Sequence, residues 1–260
     1  MKQYTGKFFK EDMPEWKKKK DITLVRVFYR PISFYVAAFC ANHGIQANDV
    51  SYFSLIMAMI GCICFVPHNY WIHILGAVLI IIWEILDCVD GNLARSVKAQ
   101  PFGDFADGLS SGMYGAYIYL TAAIAAYYEG GFLFQAGDVI IIILGALACI
   151  SNIFTRYVFQ RYINHEKELE EKGMLKAEIP ENRDKERVTS PVVHLFAWAS
   201  EGGIVPPLLL LTAILRILDV FVLYGFVIYM FFEIVNLIRY IRKAIVKTAE
   251  IEAGQAYEDK

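Results

Sequence analysis

Residues 87–108 read DCVDGNLARSVKAQPFGDFADG and separate one long apolar segment, residues 71–86, from the next, which starts near Leu109. This junction carries four carboxylates, three glycines and one arginine. Charged groups are costly to keep at the edge of a bilayer, so a cluster of them indicates a functional site. The rest of the chain is organised around this junction.

The composition is typical of a membrane protein. Of the 260 residues, 57% are hydrophobic and 15% are aromatic, and the mean hydropathy of +0.40 is well above that of a water-soluble domain. The net charge of −2 gives no support to a nucleic-acid partner. The five cysteines lie in apolar surroundings, so we expect packing residues and neither a disulfide framework nor a zinc site.

Six apolar segments predict six transmembrane helices. The predicted spans are residues 50–66, 71–86, 109–128, 139–159, 204–218 and 220–238. Basic and apolar residues alternate up to Arg30, and a short apolar piece follows, which predicts an amphipathic helix on the membrane surface. The fold class is therefore all-α, with six transmembrane helices and an N-terminal interfacial amphipathic helix.

This pattern divides the chain into three parts. They are a cytoplasmic N-terminal segment with the juxtamembrane helix at residues 1–48, a six-helix transmembrane catalytic domain at 49–245 with a cytoplasmic loop at about 164–190, and a cytoplasmic tail at 246–260. Lysine and arginine concentrate on one side, whereas the turns at 67–70 and 129–138 contain none. We therefore expect a multi-pass protein of the cell (inner) membrane with both termini and the junction in the cytoplasm. Arg216, near the outer end of the fifth span, is expected to pair with Asp219.

The side chains of the junction suit phosphate chemistry. Asp87 and Asp90 are three residues apart on one helix face, and Mg²⁺ commonly takes one or two carboxylates together with substrate phosphates. Gly91 leaves room for a ligand to approach the backbone, and Arg95 offers a permanently charged fork for a diphosphate. Asp104 is either a carboxylate that complements the dipole of the next helix or a site residue.

The spacing Asp87-x-x-Asp90-Gly91-x-x-Ala94-Arg95, then seven residues, then Gly103-x-x-x-Asp107, resembles the signature of the CDP-alcohol phosphotransferases. The resemblance implies Asp87, Asp90 and Asp107 as ligands of Mg²⁺ or Mn²⁺. It also implies a cradle for the nucleotide diphosphate, made of Gly91, Ala94, Arg95 and Gly103.

Two shorter stretches are also similar to the family. Residues 46–51 are similar to the Pro-Asn-x-Val-Thr segment that opens the first span, with Ala47 in place of proline, which implies Asn48 as a nucleotide-binding residue. Residues 185–188, KERV, are similar to a Glu-Arg pair before the fifth span, which makes Arg187 a candidate for the acceptor site. Arg156 is a further candidate, unless its side chain extends to lipid headgroups.

The family pattern continues with a fourth aspartate, regarded as the general base, and this chain has Ser111 at that position. Ser111 is thus an acceptor-site candidate without the ability to act as base. Three solutions are open: Asp104, one turn before Asp107, acts as a displaced base; the acceptor is a phosphate monoester that is already ionised; or the chain binds a CDP-linked ligand as a sensor or scaffold.

The resemblance implies metal-dependent transfer of a substituted phosphoryl group from a CDP-linked donor to an acceptor, with release of CMP, in phospholipid or glycolipid biosynthesis. The donor would be CDP-diacylglycerol or a CDP-linked alcohol, and the acceptor a lipid or a small polar or phosphorylated molecule. Further implied partners are membrane lipids and a second copy in a homodimer. A stripe of small residues, Gly108, Gly112 and Ala116, predicts close packing within the chain or across that dimer.

Overall fold

A computed structural model describes residues 3–175, 195, 197–200 and 202–258. Its helices, in chain order, are α1 Gly6–Glu11, α2 Glu15–Lys20, a π-helical segment Val25–Tyr29, α3 Arg30–Asn42, α4 Ala47–Ile63, α5 Tyr70–Ser96, α6 Gly103–Glu129, α7 Ile140–Glu171, α8 Val205–Leu215 and α9 Leu218–Glu258. These ranges contain no β-strand, which confirms the all-α class.

Helices lie at all six positions where spans were predicted. Among the described residues, α5, α7 and α9 are long and apolar enough to cross a membrane, whereas α4 and α8 are apolar but shorter. Helix α6 has 27 residues but is not among the helices that qualify by composition. Membrane character therefore rests on three helices, and the count of six spans stays a prediction.

The helices that frame the junction approach each other closely. Where α4 crosses α5, a Cβ on Gly61 would lie 3.2 Å from the carbonyl oxygen of Gly76, and a Cβ on Gly76 would lie 2.8 Å from that of Gly61. Only glycine permits this backbone contact. The crossing fixes α4 beside α5. At its other end α5 continues to Ser96, so the predicted site residues from Asp87 to Arg95 are helical.

The N-terminal helices form a layer against this end of the bundle. Phe9 of α1 and Phe34 of α3 pack with Val50, Val89 and Leu93 of α4 and α5 in one buried cluster. Apolar side chains on the outer side of the layer are exposed, namely Val27, Phe28, Tyr35 and Phe39. This two-sided pattern is what an interfacial amphipathic segment requires.

The opposite end of the bundle shows that one predicted pair is wrong. The wholly buried Asp219 carboxylate accepts hydrogen bonds from the backbone N–H groups of Leu133, at 2.5 Å, and Phe134, at 3.0 Å. Arg216 instead lies over the ring of Tyr70, 4.3 Å from its centroid. Arg216 ends α8 in the left-handed region, with φ of 58°, and this conformation accompanies the change of partner.

Two glycines of the small-residue stripe of α6, Gly108 and Gly112, face open space in the described part of the chain. A Cβ added at Gly108 or Gly112 would meet no atom within 4 Å among the described residues. The expected packing within the chain is therefore wrong at these two positions. A contact across a homodimer stays a prediction.

Candidate active site

A cavity of about 670 Å³ opens where the start of α4, the end of α5 and the start of α6 meet. Eight predicted site residues line it: Asn48, Asp90, Gly91, Ala94, Arg95, Gly103, Asp104 and Asp107. The remaining lining residues are Ala47, Ser51, Ala99, Gln100, Phe102 and Phe105. Folding thus brings the two similar stretches, 46–51 and the junction, to one cavity.

The turn between α5 and α6 is clamped to the start of α4. The backbone N–H of Asn48 donates to Gln100 Oε1 at 2.8 Å, and Asn48 Nδ2 donates to the carbonyl oxygen of Pro101 at 2.9 Å. Phe102 follows with φ of 61° and ψ of 16°, a left-handed conformation that costs a non-glycine residue on the order of 1–3 kcal/mol. Such strain persists only where the surrounding contacts impose it, and here they hold the turn beside the cavity.

One buried polar atom of the cavity wall has no hydrogen-bond partner in the described part of the chain. It is Oδ1 of Asn48, whose amide nitrogen is already bound to Pro101. A Cβ on Gly103 would lie 3.6 Å from this oxygen, which is an ordinary van der Waals distance, so the oxygen lies beside Gly103 in the cavity wall. Leaving a buried acceptor unpaired costs about 1–3 kcal/mol. Asn48 Oδ1 is therefore suited to accept a hydrogen bond from a ligand.

The three carboxylates expected to bind metal lie on two helices. Asp90 is buried and its Oδ2 accepts a hydrogen bond from Ser51 Oγ at 2.6 Å. The carboxyl group of Asp87, which does not line the cavity, interacts electrostatically with Glu84, Asp90 and Asp107. A divalent cation beside these carboxyl groups would offset their mutual repulsion.

The donor chemistry of these side chains fits a hard divalent cation. Asp87, Asp90 and Asp107 offer oxygen ligands, which Mg²⁺ and Mn²⁺ prefer. Within the described ranges, however, no three His, Cys, Asp or Glu side chains already form a metal-binding group. The ligand types therefore agree with the prediction, and coordination requires the three carboxylates to converge further.

Arg95 extends along the cavity from the end of α5. Its Nη2 donates to Asn92 Oδ1 at 3.0 Å. A Cβ on Gly91 would lie 3.0 Å from Arg95 Nη1, so glycine at 91 makes room for the guanidinium as well as for a ligand. The predicted diphosphate fork is thus present, and its position depends on Gly91 and Asn92.

Ser111 and Arg156 contact each other away from the cavity lining. Arg156 Nη1 donates to Ser111 Oγ at 3.1 Å, and Arg156 Nε donates to Asn152 Oδ1 at 3.1 Å. The position at which the family pattern has a carboxylate therefore holds a hydroxyl bound by a guanidinium. Arg187 and the KERV stretch lie outside the described residues.

Three serines and a tryptophan of the site region were not predicted from the sequence. Ser51 holds Asp90, while Ser54 and Ser110 are hydrogen-bonded at 2.8 Å and Trp83 Nε1 donates to Ser110 at 2.9 Å. These bonds join α4, α5 and α6 directly below the cavity. The signal for Ser51 and Ser54 was their helical spacing from Asn48 in an apolar helix, whereas nothing in the sequence marks the left-handed Phe102.

A family model described as CDP-alcohol phosphatidyltransferase matches residues 44–179, more than half of the chain. The match contains every residue of the cavity lining together with Ser111 and Arg156, and it leaves out α1 to α3, α8 and α9. No curated protein matches the chain.

Proposed function

The chain belongs to the CDP-alcohol phosphatidyltransferase family, and from this premise we propose that it transfers a substituted phosphoryl group from a CDP-linked donor to an acceptor and releases CMP. The observation that carries the proposal is the cavity itself, because it gathers eight of the predicted residues from three helices. Family membership supports a transferase with a CDP-linked donor and an alcohol acceptor.

In this reaction an acceptor oxygen forms a bond to the phosphorus atom that carries the alcohol. The bond from that phosphorus to the bridging oxygen breaks, and CMP leaves with the electron pair. Positioning and charge neutralisation supply most of the rate enhancement in phosphoryl transfer. The residues of this chain therefore have to hold the diphosphate and the acceptor in line.

The donor end would be held by three kinds of group. Arg95 neutralises charge on the diphosphate, and the unpaired Asn48 Oδ1 accepts a hydrogen bond from the amino group of cytosine, which uracil lacks. A divalent cation bound by Asp87, Asp90 and Asp107 supplies charge neutralisation at the diphosphate when present. A UDP-linked donor should consequently compete poorly.

At the acceptor end we favour a phosphate monoester. The Arg156 guanidinium is bound to Ser111, at the position where the family pattern has a carboxylate base. A carboxylate at this position would repel an anionic acceptor, whereas a cation attracts it. An ionised phosphate oxygen attacks without losing a proton, so no base is needed, and the product is then a substituted diphosphate together with CMP. For a hydroxyl acceptor the proton would pass to a base, and Asp104, which lines the cavity, is the candidate.

Release of CMP tests the proposal. Full-length protein would be assayed with Mg²⁺ or Mn²⁺, with CDP-diacylglycerol or a CDP-linked small alcohol as donor, and with phosphorylated and unphosphorylated forms of the same acceptors. We expect turnover with the phosphorylated forms, retained in Asp104→Ala, and a shift towards hydroxyl acceptors in Ser111→Asp. Loss of hydroxyl turnover in Asp104→Ala would instead identify a displaced base.

A different result would favour the second function. Binding of CDP-linked donor without CMP release from any acceptor would identify a sensor or scaffold that has kept the nucleotide site. The observation that favours this second function is the hydroxyl of Ser111 at the position of the fourth carboxylate.

The charge distribution supports a cytoplasmic site. Lysine and arginine concentrate in residues 2–30, at Arg95 and Lys98 of the junction, from Arg156 through Arg187, and from Arg239 to Lys247. The junction that lines the cavity therefore belongs to the basic side. We accordingly place the reaction at the cytoplasmic face of the cell (inner) membrane, in a homodimer that meets at the stripe of Gly108 and Gly112. Labelling of single cysteines in vesicles tests the orientation.

A further inference from the structure

A buried polar network joins the N-terminal layer to the cavity. Its centre is Arg30, which is 5% exposed and begins α3 directly after the π-helical segment Val25–Tyr29. Arg30 Nε donates to Asp21 Oδ2 at 2.7 Å and Arg30 Nη2 donates to Asp21 Oδ1 at 3.2 Å. Single π-helical turns are frequent at functional sites, since they redirect the side chains that follow.

The remaining amino group of Arg30 reaches α5. Arg30 Nη1 donates to the carbonyl oxygen of Cys88 and to Asn92 Oδ1, each at 3.3 Å. The same Asn92 oxygen accepts the bond from Arg95 Nη2, and Asn92 Nδ2 donates to Ser33 Oγ at 3.0 Å. One buried amide oxygen therefore holds two guanidinium groups.

The charges in this network have different roles. Asp21 compensates the charge of Arg30 through two hydrogen bonds, as a buried cation requires. Arg95 forms no salt bridge with a carboxylate in the described part of the chain and lines the cavity, so its charge is available to a ligand. Arg30 thus fixes the position of Asn92, and Arg95 supplies a positive charge to the cavity.

We propose that Arg30 and Asn92 are positioning residues that hold the Arg95 guanidinium towards the diphosphate of the donor. This proposal rests on the proposed function. Arg30 lies outside residues 44–179, so the family match does not contain it. The N-terminal layer is therefore a part of the donor site, and a guanidinium held in one rotamer loses less entropy when it binds the diphosphate.

Asn92→Ala tests the positioning role, because it removes the oxygen that accepts hydrogen bonds from both Arg30 and Arg95 and leaves the Asp21–Arg30 pair intact. We expect the KM for the donor and the Kd for CDP, measured by calorimetry on the full-length protein with Mg²⁺, to rise about 10-fold, which corresponds to about 1.4 kcal/mol. The kcat should change by less than about 3-fold. A merely structural role would lower thermal stability without this split.

A double-mutant cycle tests whether Asn92 acts through Arg95. In an Arg95→Met background, Asn92→Ala should weaken CDP binding no further. For Arg30, the Asp21→Asn/Arg30→Gln double variant removes both charges together and should raise the donor KM in the same way. The matched control is Glu166→Gln/Lys247→Met, which removes another ion pair, partly buried between α7 and α9. It should lower the melting temperature and leave the donor KM unchanged.

Two results would overturn the positioning role. One is an equal effect of Asn92→Ala with and without the Arg95 side chain, and the other is a donor KM that stays at the parent value in both Asn92→Ala and the Asp21/Arg30 double variant. Failure of the proposed function looks different, because the parent protein itself would then neither bind CDP nor release CMP.

Discussion

The donor end and the acceptor end of the site are built differently. At the donor end, charged side chains that line the cavity are fixed by partners on the bundle: Ser51 holds Asp90, and Asn92 holds Arg95. At the acceptor end, Ser111 and Arg156 contact each other outside the cavity lining. At the end that matches the family motif, hydrogen bonds hold Asp90 and Arg95 in place. At the end that departs from the motif, a guanidinium stands where the family pattern has a carboxylate. On the proposed function, the donor class follows from the motif, whereas the acceptor class depends on Ser111 and Arg156.

The largest effect is expected at the donor end, where Asp90→Asn and Asp107→Asn each remove a carboxylate charge. We expect kcat/KM for CMP release to fall by about 10³-fold, since such electrostatic groups typically contribute that much. Ser51→Ala is the matched control, because it removes the hydrogen bond to Asp90 but leaves the carboxylate in place, and it should cost about 10-fold. If Asp90→Asn lowered kcat/KM no more than Ser51→Ala does, the Asp90 carboxylate would have no role beyond its hydrogen bond to Ser51.

A smaller and more selective effect is expected at the acceptor end. Arg156→Met should raise the KM for a phosphorylated acceptor by about 30-fold, because a charge-assisted contact to phosphate is lost, while the KM for the donor stays within 2-fold. Arg161→Met supplies the control, since Arg161 is an exposed arginine on the same helix. If Arg156→Met changed the KM for the donor as much as the KM for the phosphorylated acceptor, Arg156 would not belong to a separate acceptor end.

The donor end was predictable because its information is local. The spacing of Asp87 and Asp90 fits one helix face, Arg95 follows five residues later, and glycine and proline mark the turn to the next helix. The all-α class follows from the apolar segments for the same reason. The full length of the helix was not predicted: α5 runs ten residues past the predicted end of its membrane span, because a helix can leave a bilayer without having to stop there.

Contacts between distant segments were not predictable. Arg30 meets Asn92 across 62 residues, and Asp219 meets Leu133 across 86. The sequence suggested instead that Asp219 could pair with nearby Arg216, because a sequence shows which residues are close along the chain and not which are close in space. Phe102 in the left-handed region also has no local signal, since that conformation ordinarily favours glycine.

The far end of the bundle offers a comparison in which a buried carboxylate is purely structural. Asp219→Ala removes the acceptor of the Leu133 and Phe134 N–H groups and should cost on the order of 3 kcal/mol of stability. The melting temperature in detergent should fall while both KM values stay unchanged. Asp138→Ala, which removes only a bond to the Ile140 N–H, should cost about 1 kcal/mol. A change in donor KM on Asp219→Ala would mean that the two ends of the bundle are coupled.

The smallest effect is a pH dependence of the N-terminal layer that supports the donor end. Burial raises the pKa of Asp21, but the hydrogen bond and charge of Arg30, with Lys17, lower it by more, so that the pKa lies below its ordinary value of 3.8. Because the folded form binds this proton more weakly than the unfolded chain, the stabilisation is complete above about pH 4 and is lost as the pH falls through the folded pKa. We expect amide hydrogen exchange across α3 to accelerate in that window, and the melting temperature to fall by a few degrees relative to Asp21→Asn, which has no proton to gain there. Parallel pH profiles for the parent and Asp21→Asn would show that the Asp21–Arg30 pair does not hold the layer in place.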